Sequence, residues 1–575
     1  MNTKRHFRRS AELPFLASER ERVTIILGGL TWKHERLIQA VLLRNGYRAE
    51  CLAQPDRDAH EIGKEYCASG LCNPVYFVTG SLIARLRELE ARGMSRAAIV
   101  NSYLYFTAGS GGPCRFGMYE SEIRSALNAA GFPGFRVVVF QQEHGVNSSS
   151  GQAGLQFSVD FGLGALHALV LGDLLNELDR KLSAYAIVPG AADRATHEIT
   201  EKIASFLENQ PCFDLVDKAP RRLGRFLQAH RDSAVFRTCN TLCKVYVHLR
   251  AQALREELIA SRQVLAGVRV DWSQLRPMVK VIGEFWAQLT EGDGNFRMFR
   301  FLEGEGAEVS VEPISCWVLY LLFQHRRRLL QRLELLRRET KWWQPSGIKL
   351  RAGNFGKRLL CLLAERIYQG HYSRLGEALG NAAPLLPQET LAALATPHYN
   401  TGLHGGEGHL EVAKNLYYFG HGKSHMVLAL KPFGCLPSQQ SDAVQASLVE
   451  RNPGMNFLSV ETAGDGEIHA RNRVQMAVSD AMEAARREFD ALLSSTRLTP
   501  GDIRRYQLAH PEVGNARHTV ERHSGVASTA GNFLLEVAAE TRGTSPDEPV
   551  PAVRGKRSTC QPVSTLASNQ EADHV

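Results

Sequence analysis

The chain has 575 residues, 44% of them apolar and 22% charged, which suits a globular protein of two to four domains with no need of disulfides for stability. Its net charge of +8 comes from interleaved acids and bases. That balance favours a polyanionic small ligand and does not require nucleic acid, and no helix-turn-helix, zinc-finger or RNA-binding signature is present. The longest strongly apolar run near the middle, residues 316–323, is far too short to span a bilayer, and no apolar signal core follows the basic residues Lys4, Arg5, Arg8 and Arg9. These features read as a cytoplasmic protein with neither membrane nor nucleic acid among its partners.

In chain order, residues 1–20 read as a flexible arm. A strand at 23–27 runs into Gly28-Gly29, and a helix follows to about Asn45, closed by Gly46. A second strand, expected over 97–106, leads into the turn Gly109-Ser110-Gly111-Gly112-Pro113. A helix to about Ala130 and a strand at 136–140 come next. Residues 155–265 have helical periodicity. The strand–helix rhythm returns with a strand at 279–282 and a helix at 296–304. Residues 318–395 are helical again, broken at Pro345-Ser346-Gly347. A strand at 426–430, a helix from about Ser438, a strand at 456–460 and a helix at 471–494 complete the ordered part, and the chain reads as disordered from about 541.

Alternating strands and helices predict an α/β fold of two similar Rossmann-like parallel-sheet domains facing a central cleft, with added helical segments. The expected divisions are an arm (1–20), a first α/β domain (21–160), a helical segment (161–275), a second α/β domain with a helical insertion near 318–395 (276–495), and a C-terminal extension (496–575). An internal repeat underlies the pairing of domains. Cys114 precedes Pro133 by 133 − 114 = 19 residues, and Cys435 precedes Pro453 by 453 − 435 = 18, each between two strands. Each copy would place its cysteine at the carboxyl end of a sheet strand, the edge at which open α/β sheets bind ligands.

Three of the 11 cysteines stand apart. Cys72 (GLCNP), Cys114 (GGPCRFG) and Cys435 (PFGCLP) all lie at expected helix starts beside glycine or proline. Free backbone N–H groups and the helix dipole favour thiolates there and should lower the thiol pKa. Spacing alone leaves three unrelated small residues as the other reading. Cys51, Cys316 and Cys361 sit in apolar patterns, and Cys239 and Cys243 fall at helical spacing and read as core. Cys560 falls in the tail. Cys67 with Cys72 lacks a second pair, and His421 with His425, or His398, His404 and His409, read as loop histidines rather than zinc ligands. The basic run Arg326, Arg327, Arg328, Arg332, Arg337 and Arg338 reads as a solvated helix face. No phosphate loop of either common type occurs.

The segments TAGSGGPCRFGMY (107–119), GLCNPVYFVTG (70–80), VLALKPFGCLP (427–437) and VETAGDGEIHARNR (460–473) resemble, in order, the subunits of 2-hydroxyacyl-CoA dehydratases and benzoyl-CoA reductases, and equally a region of acyl-CoA dehydratase activase-related proteins. Residues 166–189 and 280–309 extend the likeness over most of 23–490. The resemblance implies a [4Fe–4S] cluster held by three cysteines matching Cys72, Cys114 and Cys435. It also implies a separate ATP-hydrolysing iron–sulfur activator that delivers one low-potential electron, and an acyl-CoA thioester that undergoes ketyl-radical dehydration or reduction. The chain would then be a lyase or an acyl-CoA reductase component, alone or in a homo- or hetero-dimer. Two other readings stand beside it: a non-catalytic iron–sulfur electron-transfer or accessory protein, and a metal-free scaffold. The chain departs from the family in its added helices and in lacking the ATPase domains that head the long activase-related proteins. Arg115 and Glu407 lie in the family-like segments without an assigned role.

Overall fold

The computed structural model describes residues 12, 14–109, 114–141, 145–147, 154–155, 158–339, 345–380, 384–403, 405–464 and 466–542, with backbone alone at 141, 145–147, 336–339, 345–350 and 542. The turn residues 110–113, His404, Cys560 and the tail from 543 onward, for which the sequence carried expectations, lie outside the described residues.

Burial alternates along the strands. In β1 (Thr24–Leu27), Ile25 and Leu27 enter one apolar core and Ile26 another. With β2 (Arg48–Cys51), β3 (Tyr103–Gly109), β4 (Arg136–Gln141) and β5 (Gly145–Asn147) it forms a sheet in the order β2-β1-β3-β4-β5. The first four strands are parallel and β5 is antiparallel to β4. The second sheet has β6 (Met278–Gly283), β7 (Glu308–Val311), β8 (Met426–Pro432) and β9 (Phe457–Thr462), all parallel, in the order β7-β6-β8-β9. Along β8, Met426, Leu428 and Leu430 fill one core while Val427 and Ala429 fill the opposite one. Sheets buried on both faces need helices on both, which is the α/β arrangement of two Rossmann-like domains.

The two sheets share one topology: β2-β1-β3-β4 and β7-β6-β8-β9 superpose as the same strand order. Strand order reverses between β1 and β3 in one and between β6 and β8 in the other. The internal repeat lands there: β3, Cys114, the helix Tyr119–Ala129 and β4 match β8, Cys435, the helix Leu436–Arg451 and β9.

The expected strand over 97–106 is instead a helix, Arg96–Ser102, followed by β3. Ser95 caps that helix by accepting from the Ala98 N–H, and Ile99 anchors it in the core. A short apolar run carries no periodicity able to separate the two forms. Part of the arm is packed: Phe15 and Glu19 are buried, and Glu19 pairs with the buried Arg136 at 3.4 Å.

The long helices Val159–Tyr185 and Ala191–Asn209, part of the helix Pro345–Leu379 and the C-terminal helix Thr529–Arg542 share one large core with the first sheet. Val159–Tyr185 is the one helix among the described residues with the length and apolarity of a membrane span, and 67% of that window is buried inside the protein. Residues beyond 496 are built in through Glu308 on β7. Its carboxylate accepts from Tyr185 Oη (2.7 Å), Thr529 Oγ1 (2.6 Å) and Arg522 Nη2 (2.7 Å).

Candidate metal centre between the two sheets

The carboxyl ends of the two sheets meet, and the three singled-out cysteines lie at that meeting. Cys435 caps the helix Leu436–Arg451, which has a proline in its first turn. Cys72 stands two residues ahead of the helix Pro74–Ala91, and Cys114 precedes the short 3-10 turn Arg115–Met118.

Contacts of Asn73 bring these loops together across 433 − 73 = 360 residues of chain or more. The Asn73 N–H donates to Phe433 O (3.2 Å), and the Asn73 amide donates to Thr462 O (2.8 Å). His60 Nε2 fixes the same amide through its oxygen at 2.9 Å. Gly434 has φ +80°, and a Cβ there would lie 3.4 Å from Leu71 O, 3.6 Å from Cys72 Cα and 3.7 Å from Arg115 Nη1. Arg115 in turn donates to Gly70 O. The loops of Cys72, Cys114 and Cys435 therefore form one junction, with Cys72 and Cys435 buried and Cys114 half-buried.

The electrostatics of this junction differ from the expectation of lowered thiol pKa values. Burial pushes Cys72 up to about 11, offset in part by a 2.8 Å hydrogen bond with Tyr119 Oη, and pushes Cys114 up to about 12. Cys435 is raised as well, by burial first and then by Glu284. A helix start is worth about 0.3–1 kcal/mol to a thiolate, less than one pKa unit, so desolvation wins. The charge of Glu284 bears on all three thiols, and that of Cys72 on Cys114.

Carboxylates crowd the second-domain side. Glu284 follows β6, accepts from the Ala287 N–H at 2.9 Å, and is pushed up to about 7 by burial. Glu407 accepts from the Phe285 N–H at 3.2 Å and is raised well above its usual range by burial, then by Glu284 and Glu411. Glu411 accepts from Ser438 (2.7 Å) and Ser441, one turn into the Cys435 helix, and the buried Lys414 supplies positive charge. Glu284, Glu411 and Lys414 were not singled out from sequence. The usable signal was the repeat: Gly283-Glu284 ends β6 as Gly28-Gly29 follows β1.

No group of three or more His, Cys, Asp or Glu side chains among the described residues is already gathered to hold a metal ion. The junction assembles three thiol-bearing loops rather than a closed set of ligands. The donor set still fits a thiolate-bound cluster. Arg115 and Lys414 leave the thiols protonated against burial and the nearby carboxylates, and a bound metal would supply the further positive charge that deprotonates them.

The other sequence candidates lie elsewhere. Cys239 is exposed and Cys243 half-buried on the helix Ala234–Arg250, so neither is core. His421 is bonded to its own helix, while His425 accepts from the Met278 N–H and faces Glu488 at 3.5 Å. His409 is buried inside the helix Gly408–Gly420. Arg326 is half-buried and paired with Glu365 and Glu389, so the basic run is not uniformly solvated.

No family model matches the chain, and no curated protein matches it.

Proposed function

We propose that the junction holds a [4Fe–4S] cluster through Cys72, Cys114 and Cys435. On this reading the chain is a cytoplasmic iron–sulfur protein of the 2-hydroxyacyl-CoA dehydratase type. It accepts a low-potential electron from a separate ATP-dependent activator and uses it on an acyl-CoA thioester, by ketyl-radical dehydration or by reduction. The observation that carries the reading is the seating of Gly434 against Cys72 and Arg115, which joins three cysteine loops from two domains. The motif order in the sequence supports it independently.

The cluster, when bound, supplies one-electron chemistry. The chain's own residues shape the surroundings. Gly434 supplies the positive-φ turn that seats Cys435 beside the Cys72 loop, Asn73 ties the Cys72 loop to the ends of β8 and β9, and Arg115 holds Gly70. Tyr119 donates toward or accepts from Cys72, and Glu284 and Glu407 offer carboxyl groups able to hold a proton beside the thiols.

The test is assay of anaerobically purified protein with a cognate ATP-dependent activator and a panel of CoA thioesters. Turnover of a thioester supports the enzyme. Electron uptake without turnover favours the accessory reading, and absence of iron favours the scaffold. The chain alone should hydrolyse no ATP, since it carries no phosphate loop. ATP turnover that survives contaminant controls would contradict this.

A further inference from the structure

The strand-order reversal of the first sheet carries its own cavity, apart from the cysteines. It has a volume of about 110 Å³ and lies at the carboxyl end of β1. Gly29, Leu52 and Val78 from the first domain line it, Glu35 and Tyr105 reach it, and Trp286 of the second domain closes it. Crevices at such reversals are where open α/β sheets take ligands.

Two buried polar groups on its wall have no partner. The Trp286 indole N–H is more than nine-tenths buried and makes no hydrogen bond. It stands 3.8 Å from where a Cβ on Gly29 would be, so the bare backbone of Gly29 (φ +104°) leaves the space in front of it open. The Tyr105 hydroxyl is fully buried, with Thr107 near it but outside hydrogen-bonding geometry. Buried donors without partners are costly, so both call for something in the cavity to bond.

We propose that this cavity binds an uncharged carbonyl compound of about four heavy atoms, such as a small amide, held by the Trp286 indole N–H and the Tyr105 hydroxyl. No Lys, Arg or His lines the cavity, so an ionised acid would enter without a counter-charge. Glu35 accepts from the Leu30 N–H at 2.9 Å, and burial pushes its carboxyl up to about 8, leaving it neutral and able to pair with an amide. Glu291 fastens the rim by accepting from the Trp32 N–H (3.0 Å) and the Gln54 amide (3.1 Å). The site does not depend on the cysteine junction.

Acetamide and acetate have nearly the same shape and differ in charge. Each is titrated into the purified full-length chain and followed by ligand-observed NMR. The expected result is saturable acetamide binding in the millimolar range, with acetate at least about tenfold weaker. Trp286→Phe should weaken acetamide about fivefold or more, and Ser81→Phe, which fills the cavity from its rim, should abolish binding, both with melting temperatures near that of the unsubstituted chain. Cys72→Ser should bind acetamide unchanged, which separates this site from the cluster reading. Unsaturable acetamide binding, equal affinity for acetate, or indifference to Ser81→Phe would overturn the proposal, whatever becomes of Trp286→Phe.

Discussion

Gly434 shows how a single position can decide a site. The contacts awaiting a Cβ there are ordinary van der Waals distances, so space is not the obstacle. The backbone is, because φ +80° costs an L-residue about 1–2 kcal/mol. Gly434→Ala should therefore lower the melting temperature by a few degrees and loosen the turn that seats Cys435 against Cys72. Thermal denaturation and iron content together test this, and an unchanged melting temperature would show that the turn tolerates a side chain. Burial likewise separates the cysteines. In metal-free protein, iodoacetamide followed by peptide mass spectrometry should label the exposed Cys212 and Cys239 well before the buried Cys72 and Cys435. Equal labelling rates would mean that the junction opens readily.

Among the elements, strands and helices with strong periodicity were legible in the sequence. β1, β6, β8 and β9 stand within a residue or two of their expected places, the helix Trp32–Arg44 ends where expected, and the helix Glu467–Thr496 covers its expected span but begins four residues earlier. β2 (RAEC) and β7 (EVSV) escaped because four residues with charges among them carry no clear alternation, and their identity comes from pairing with β1 and β6. In the site, the cysteines were legible from glycine and proline beside helix starts. Glu407 was noted without a role and Glu284 and Glu411 were not noted at all, because these carboxylates gain their meaning only from burial.

The helical layer also carries an acid sensitivity. The His371 ring stacks on His167 at 4.8 Å, His248 lies 5.3 Å from His167, and Asp160 and Lys244 pair beside them. Burial first, then Arg374 and His248, holds His371 down to about 4, and burial also holds His167 well below its usual value. A depressed folded-state pKa means that the unfolded chain binds the proton first. Stability should then be full above about pH 6.5 and be lost as pH falls toward 4. His371→Phe should reduce the slope of unfolding free energy against pH in that window by about one proton, measured by denaturant titration at several pH values. An unchanged slope would assign the acid sensitivity to other groups.

For the molecule as a whole, two domains of one topology meet at the carboxyl ends of their sheets, and polar groups from both sides fasten the meeting. Asn73 is central, since its side chain and backbone both cross to the second domain. Asn73→Leu would leave the Thr462 carbonyl with the long 3.5 Å bond from the Phe433 N–H and should cost about 1–3 kcal/mol, with loss of bound iron outrunning loss of fold. The C-terminal helix Thr529–Arg542 is a second fastening, because Glu488 accepts from the Ala527 and Ser528 N–H groups and Glu308 from Thr529. Iron and acid-labile sulfide per chain, measured on anaerobically purified protein, most directly test the claim that this meeting is a cluster site. About four of each are expected, with most lost in each of Cys72→Ser, Cys114→Ser and Cys435→Ser and retained in Cys239→Ser and Cys361→Ser. Iron absent from the unsubstituted protein, or unaffected by all three junction substitutions, would contradict it.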